Sequence, residues 1–373
     1  MRVLITADSW PPDISGTATH VPFVADGLSQ QGHSVRVLVG VSDPSVTLAD
    51  HTRGFVIERL EASRRTLRQT YRLFTHLRWA DVVYDNGLLG WFGDLNWWLR
   101  KPIVARVNRD SLWEYAILQG WITDDFETFQ RRRYGRLIEH VRRQRRQALG
   151  KTRAVIVPCA YLRDVVAGWG IPPDRIRVIP PAFVPAAETS SAWPAPVTTP
   201  YRLVSAGRLT PWSGVDELLA AILPWEDVGL LVVGDGPHRT TLESLARRLR
   251  LEQRVHFSGR LDRPALLAAL RAADLHVSNA SWGGLPHILF EAWQAGVPVV
   301  ATAIGGIPEI IRDRVNGRWV PPGDRAALRQ TIRELLDDPL ARAALRSGGK
   351  TALEHHRPEA MLEQTADVLG IVH

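Results

Sequence analysis

Between Asn279 and Ile310 the chain reads NASWGGLPHILFEAWQAGVPVVATAIGGIPEI, a run whose residue types and spacing suit the binding of an oxyanion. A short apolar strand ends near Ser278, a glycine-rich bend passes through Gly283 and Gly284, and Glu291 opens a predicted helix that ends at Gly296. Where such a bend meets a helix, backbone N–H groups and the positive end of the helix dipole converge, which favours a diphosphate without any metal. Glu291 can accept hydrogen bonds from two vicinal hydroxyls, such as those of a ribose. A carboxylate there could instead only complement the dipole, worth roughly 0.3–1 kcal/mol. The glycine bend before it makes little sense as packing alone, which favours the ribose reading.

The elements that must position these residues alternate strand and helix in two halves. Val3–Thr6, Val35–Val39, Asp81–Tyr84, Ile103–Val107, Ala154–Val157 and Ile176–Ile179 read as buried strands in the first half. The second half repeats the pattern at Leu203–Ala206, Gly229–Val233, Val255–Ser258, Leu275–Ser278 and Pro298–Thr302. Such alternation predicts an α/β fold of two Rossmann-like domains, residues 1–184 and 201–355, whose parallel sheets face a central cleft. Residues 185–200, rich in Pro, Ser and Thr and without periodicity, are the expected linker, and a last helix at about 356–373 is expected to pack back on the first domain.

Composition narrows the classes. The 373 residues are too many for one ordinary core, and 45% of them are hydrophobic, ample for globular folding. No apolar run approaches a membrane span, and the apolar stretch in MRVLITADSWPP is too short for a signal peptide, so a cytoplasmic protein is expected. One cysteine, Cys159, forms no internal disulfide, and neither Cys nor His clusters at zinc-ligand spacing. The formal charge of +7, carried almost wholly by arginine, raises nucleic acid or anionic lipid as partners. No helix-turn-helix, zinc or RNA-binding signature accompanies it, so nucleic acid is not expected. In RRRYGRLIEHVRRQRRQALGKTR, residues 131–153, the stripe Tyr134, Leu137, Ile138 and Val141 recurs at helical spacing between arginines. We read it as a helix packed on the sheet with a solvated basic face, and weak peripheral contact with an anionic membrane as the alternative.

Four segments, in order, carry a family resemblance over nearly the whole chain: TADSWPPDISGTATHV, SAGRLTPWSGVDELLAAI, VVGDGPHRTTLESLARRL with VHFSGRLDRPALLAALRAADLHVS, and the run from Asn279. Together they resemble the retaining GT4 glycosyltransferases, which have the GT-B fold. The resemblance implies a nucleotide-sugar donor, no separate cofactor, and a hydroxyl acceptor, small or a lipid-linked glycan. It implies donor contacts at Gly16, Arg208, Ser213, Gly283, Gly284, Leu285, His287, Ile288 and Glu291, with Arg208 and the amides near His287 and Ile288 meeting the leaving diphosphate. Asp110, after a strand in VNRDSLWEYA, is expected at the cleft mouth as a catalytic or acceptor contact, and His20 as an acceptor contact. Two positions depart from the family pattern. Ser213 stands where a lysine is usual, and Gly283 where the first of two paired glutamates is usual, Glu291 being the second. In the family that first glutamate meets the hydroxyls of the transferred sugar, so its loss suggests a pentose or deoxysugar donor and an antibiotic-like acceptor. A cell-envelope lipid or polysaccharide transferase, a catalytically weak nucleotide-sugar binder and a sugar-nucleotide epimerase are the alternatives.

Overall fold

A computed structural model describes residues 1–11, 16–41, 53–61, 66–183 and 193–371, the side chains of 92–94 excepted. Residues 184–192, which include half of the expected linker, lie outside the described residues, as do 12–15 of the first glycine loop. The chain divides into two compact units, residues Met1–Pro181 with Pro358–His373, and Ala182–Arg357.

The first unit runs β1 (Arg2–Ala7), α1 (Gly16–Gln30), β2 (Ser34–Val41), β3 (Val56–Glu61), α2 (Leu67–Trp79), β4 (Val82–Asn86), α3 (Leu89–Leu99), β5 (Ile103–Arg106), α4 (Ser111–Leu118), α5 (Phe126–Arg131), α6 (Arg136–Gly150), β6 (Ala154–Val157), α7 (Ala160–Gly168) and β7 (Ile176–Val178). Its seven strands order β3-β2-β1-β4-β5-β6-β7, all parallel. The second unit runs β8 (Tyr201–Ala206), α8 (Val215–Ile222), β9 (Val228–Val233), α9 (Arg239–Arg248), β10 (Val255–Gly259), α10 (Arg263–Arg271), β11 (Leu275–Ser278), α11 (Ile288–Ala295), β12 (Val299–Thr302), α12 (Ile307–Ile310), β13 (Arg318–Val320), α13 (Arg325–Asp337) and α14 (Pro339–Leu353). These strands order β10-β9-β8-β11-β12-β13, again parallel. The last helix, α15 (Pro358–Leu369), belongs to the first unit, where Met361, Ala366 and Leu369 are buried.

Helices cover both faces of each sheet, so the inner strands are apolar along their whole length. β9, Val-Gly-Leu-Leu-Val-Val, is buried at every position. In the second unit, one core forms around Leu218, Leu230, Leu275 and Ile332, and another around Leu231, Leu267, Leu289 and Trp293. Helix starts follow the local chemistry: Asp262, Asp324 and Asp338 accept a backbone N–H at the openings of α10, α13 and α14. Each sheet reverses its winding direction at one place, between β1 and β4 in the first unit and between β8 and β11 in the second. At such a reversal the loops leaving the strands diverge and leave a crevice, which is where open α/β sheets bind ligands.

Candidate functional site

At the β8/β11 reversal, four loops lock together through their backbones. The loop after β8 donates Leu209 N–H to Asp235 O and receives His238 N–H at Leu209 O, which ties it to the loop after β9. On the other side, Asn279 Nδ2 donates to Gly214 O at 3.2 Å and Thr302 Oγ1 donates to Asn279 Oδ1 at 3.1 Å, joining the loops after β8, β11 and β12. Gly214 has φ +70°, and a Cβ there would run into the carbonyl oxygen of Asn279, so no other residue permits this approach. The same holds for Gly305 at φ +53°, whose Cβ would meet Gly283 O, while Gly306 N–H donates to Gly284 O at 2.9 Å. Trp212 and Trp282 are buried edge to face, with centroids 6.4 Å apart, and Ser281 N–H donates to Trp212 O.

This frame brings Arg208, Ser213, Gly283, Gly284, Leu285, His287, Ile288 and Glu291 onto neighbouring loops and one helix of the second unit. Arg208 is exposed, and among the described residues no ion pair or hydrogen bond holds its guanidinium. The Ser213 Oγ is enclosed without a hydrogen-bond partner among the described residues. Gly283 faces open space, with no atom within 4 Å of where a Cβ would stand. Leu285 is buried in the apolar cluster beneath.

The helix α11 begins at Ile288, three residues before the predicted start at Glu291, and ends on Gly296 in the left-handed conformation. His287 precedes it without a side-chain cap; Leu289 N–H and Phe290 N–H donate to Pro286 O and His287 O, which leaves the Ile288 N–H, with the helix dipole, to face a ligand oxyanion. Glu291 therefore sits within the first turn and not ahead of it. Its carboxylate is mostly enclosed and lies 3.5 Å from Arg263 Nε of α10. Burial raises its pKa above the ordinary value, against the opposing pull of Arg263. Arg263 is a partner that the sequence did not suggest, since nothing local links it to Glu291. Among the described residues, no group of three or more His, Cys, Asp or Glu side chains gathers as a metal site.

The remaining expected residues lie in the first unit, where two take on structural roles. Gly16 opens α1. His20 is buried, its Nε2 2.8 Å from the Tyr84 hydroxyl. Asp110 does not stand at an open mouth: it is fully enclosed. Its Oδ1 accepts from Leu112 N and Trp113 N as the cap of α4, and pairs with Arg145 at 2.7 Å, while Oδ2 accepts from Gln130 Nε2 at 3.0 Å. With both oxygens so engaged, Asp110 anchors α4 and α6 and is not placed to meet an acceptor. The β1/β4 reversal instead presents Asp85 and Asn86 at the end of β4. Asp85 accepts from Thr6 Oγ1 at 2.7 Å and Leu88 N at 2.9 Å, and burial pushes its carboxyl up to about 6. Asn86 is 3% exposed, and neither side-chain Oδ1 nor Nδ2 has a hydrogen-bond partner among the described residues. A buried amide costs energy when unpaired, so these two atoms are ready for a polar ligand. The expected stripe on α6 is also divided: Ile138 is buried, but Leu137 is 57% exposed.

The chain forms two doubly wound parallel units, each with a crevice at its reversal of winding. Residues 14–186 match the family model described as Glycosyltransferase Family 4, and residues 188–352 match Glycosyl transferases group 1. The chain thus carries, in order, the two domains of a GT4-type glycosyltransferase in the GT-B fold. The structure of HepE from Anabaena, determined with UDP and glucose, superposes with a TM-score of 0.79 over 100% of both chains at 20% identity, a likeness of fold. The lipopolysaccharide core biosynthesis glycosyltransferase LpsD of Rhizobium meliloti is 35% identical over 153 residues, which span 41% of this chain and 44% of LpsD. Glycogen synthase of Mycobacterium tuberculosis is 25% identical over 384 residues, 91% of this chain and 87% of that enzyme.

Proposed function

We propose that the chain transfers a sugar from a nucleoside diphosphate to a hydroxyl acceptor with retention at the anomeric carbon. In that reaction the bond from the anomeric carbon to the phosphate oxygen breaks, the bond to the acceptor oxygen forms on the same face, and the acceptor proton passes to the departing phosphate oxygen. The observation that carries this reading is Arg208, unpaired among the described residues, on one side of the β8/β11 reversal, with the start of α11 and its Ile288 N–H on the other. Charge develops on the diphosphate as it leaves, so a fixed cation and oriented amides stabilise the transition state more than the ground state. Glu291 holds the ribose hydroxyls, and Arg263 keeps its carboxylate oriented. In the first unit, Asn86 replaces Asp110 and His20 as our proposed acceptor contact.

The open space at Gly283 favours a pentose or deoxysugar, because a hexose hydroxyl buried there without a partner would cost on the order of 1–3 kcal/mol. This is the observation behind an antibiotic-like acceptor. LpsD, a lipopolysaccharide core enzyme by name, favours the other reading, a cell-envelope lipid or polysaccharide acceptor in the cytoplasm or at its membrane.

Calorimetric titration with UDP, GDP and dTDP tests the donor site. We expect one of them to bind, and Glu291→Ala to weaken it about 10- to 100-fold, the loss of hydrogen bonds to a charged acceptor. The substitution opens no core, so the unfolding midpoint should move little. An unchanged affinity would remove Glu291 from the ribose site.

A further inference from the structure

The end of the first sheet opposite its ligand-binding loops holds a cavity of about 400 Å³. It is built where the chain enters β5, β6 and β7, and Trp97, Arg100, Lys101, Lys151, Arg153 and Arg175 line it. Among the described residues, no carboxylate lines it. Asp81, whose carboxylate feels Lys101, is already paired with Arg2 at 2.7 Å. The wall is fixed by the backbone. Asn96 bridges Lys101 in both directions, Nδ2 to Lys101 O at 2.9 Å and Lys101 N–H to Oδ1 at 3.0 Å. Arg100 closes α3 in the left-handed conformation, φ 49°, uncommon for a residue with a side chain. Arg175 reaches the carbonyls of Gly150 and Thr152 at the end of α6.

Beside this basic cavity, Trp97 and Trp98 stand 65% and 78% exposed, edge to face with centroids 5.1 Å apart. Large aromatic surface left in water next to a cluster of cations matches a membrane interface, where indole rings settle at headgroup level and arginine and lysine meet lipid phosphates. Among the described residues, no helix is long and apolar enough to cross a membrane, so such contact would be peripheral.

We propose that this cavity seats the phosphate of an anionic lipid headgroup and docks the first unit on a negatively charged bilayer surface, with Trp97 and Trp98 in the interface. The contact lies on α3 and the turns before β5, β6 and β7, and not along the face of α6 that the sequence pointed to. It is independent of the donor reading above, since every residue in it belongs to the first unit.

The full chain is sedimented with vesicles of phosphatidylcholine alone and of phosphatidylcholine mixed with phosphatidylglycerol. We expect binding only to the mixture, weakening as salt is raised. Arg100→Glu with Lys151→Glu should weaken it at least about tenfold, and Trp97→Ala with Trp98→Ala should weaken it several-fold without charge change. The tryptophan pair is exposed, so its variant keeps the fold. Arg248→Glu with Arg346→Glu, an equal charge change on exposed positions of the second unit, should leave binding intact. Three results would overturn the proposal: no preference for the anionic vesicles, an equal loss in the control pair, or a cavity that takes soluble glycerol phosphate while the chain ignores the vesicles.

Discussion

Arg208→Ala is expected to lower kcat by about 100- to 1000-fold, the range seen when one donor to a developing oxyanion is removed. The KM for the donor should change far less, because the contact strengthens as the diphosphate departs and contributes less to ground-state binding. Two features of the site sharpen the expectation. Arg208 has no ion pair to lose among the described residues and is exposed, so its removal should not disturb the fold. Ser213 stands in the position of the usual lysine, which leaves no neighbouring cation on that loop to compensate. Arg208→Lys should restore part of the rate, since a point charge remains but the planar fork is gone. Steady-state rates of variant and parent at saturating donor check this, and equal kcat values would remove Arg208 from the mechanism.

Asp110→Ala should destabilise the first unit by about 3–5 kcal/mol. It removes the cap of α4 and strands Arg145, whose guanidinium lies 3.5 Å over the Trp169 ring and is largely enclosed. A buried cation left without its partner is costly, whereas the intact pair adds little beyond a hydrophobic replacement. Asp110→Asn keeps an oxygen for the cap and should lose less. Urea unfolding followed by a probe in the first unit measures the difference, as two units need not unfold together. Unchanged stability with a raised acceptor KM would return Asp110 to the acceptor site.

These two residues also mark what the sequence could and could not reveal. Arg208 comes two residues after the buried strand β8, so its position at the strand end was legible. Asp110 also had a local signal: an Asp directly before Ser-Leu-Trp-Glu is a helix cap. Its decisive partner, Arg145, is 35 residues away and only the fold brings it close. His20 and Tyr84, 64 residues apart, met in the same unannounced way. Inner strands were legible because burial on both faces demands an unbroken β-branched run. β3, Val-Ile-Glu-Arg-Leu-Glu, and β13, Arg-Trp-Val, were not expected, since each lies at a sheet edge, partly exposed, and so mixes polar residues into its pattern. The α11 start was displaced because no capping side chain marks it, whereas its end at Gly296 was clear from the glycine.

The most direct test of the account is to follow the sugar itself. Proton NMR of the purified chain, with a panel of nucleotide hexoses, pentoses and deoxysugars and with cell-envelope glycan or small hydroxyl acceptors, reads both donor consumption and the anomeric coupling of the product. The account predicts that one donor is consumed only when acceptor is present, that the new glycoside keeps the donor's anomeric configuration, and that pentoses or deoxysugars outcompete glucose and mannose. An inverted product, or donors left intact beyond slow hydrolysis with every acceptor, would contradict it.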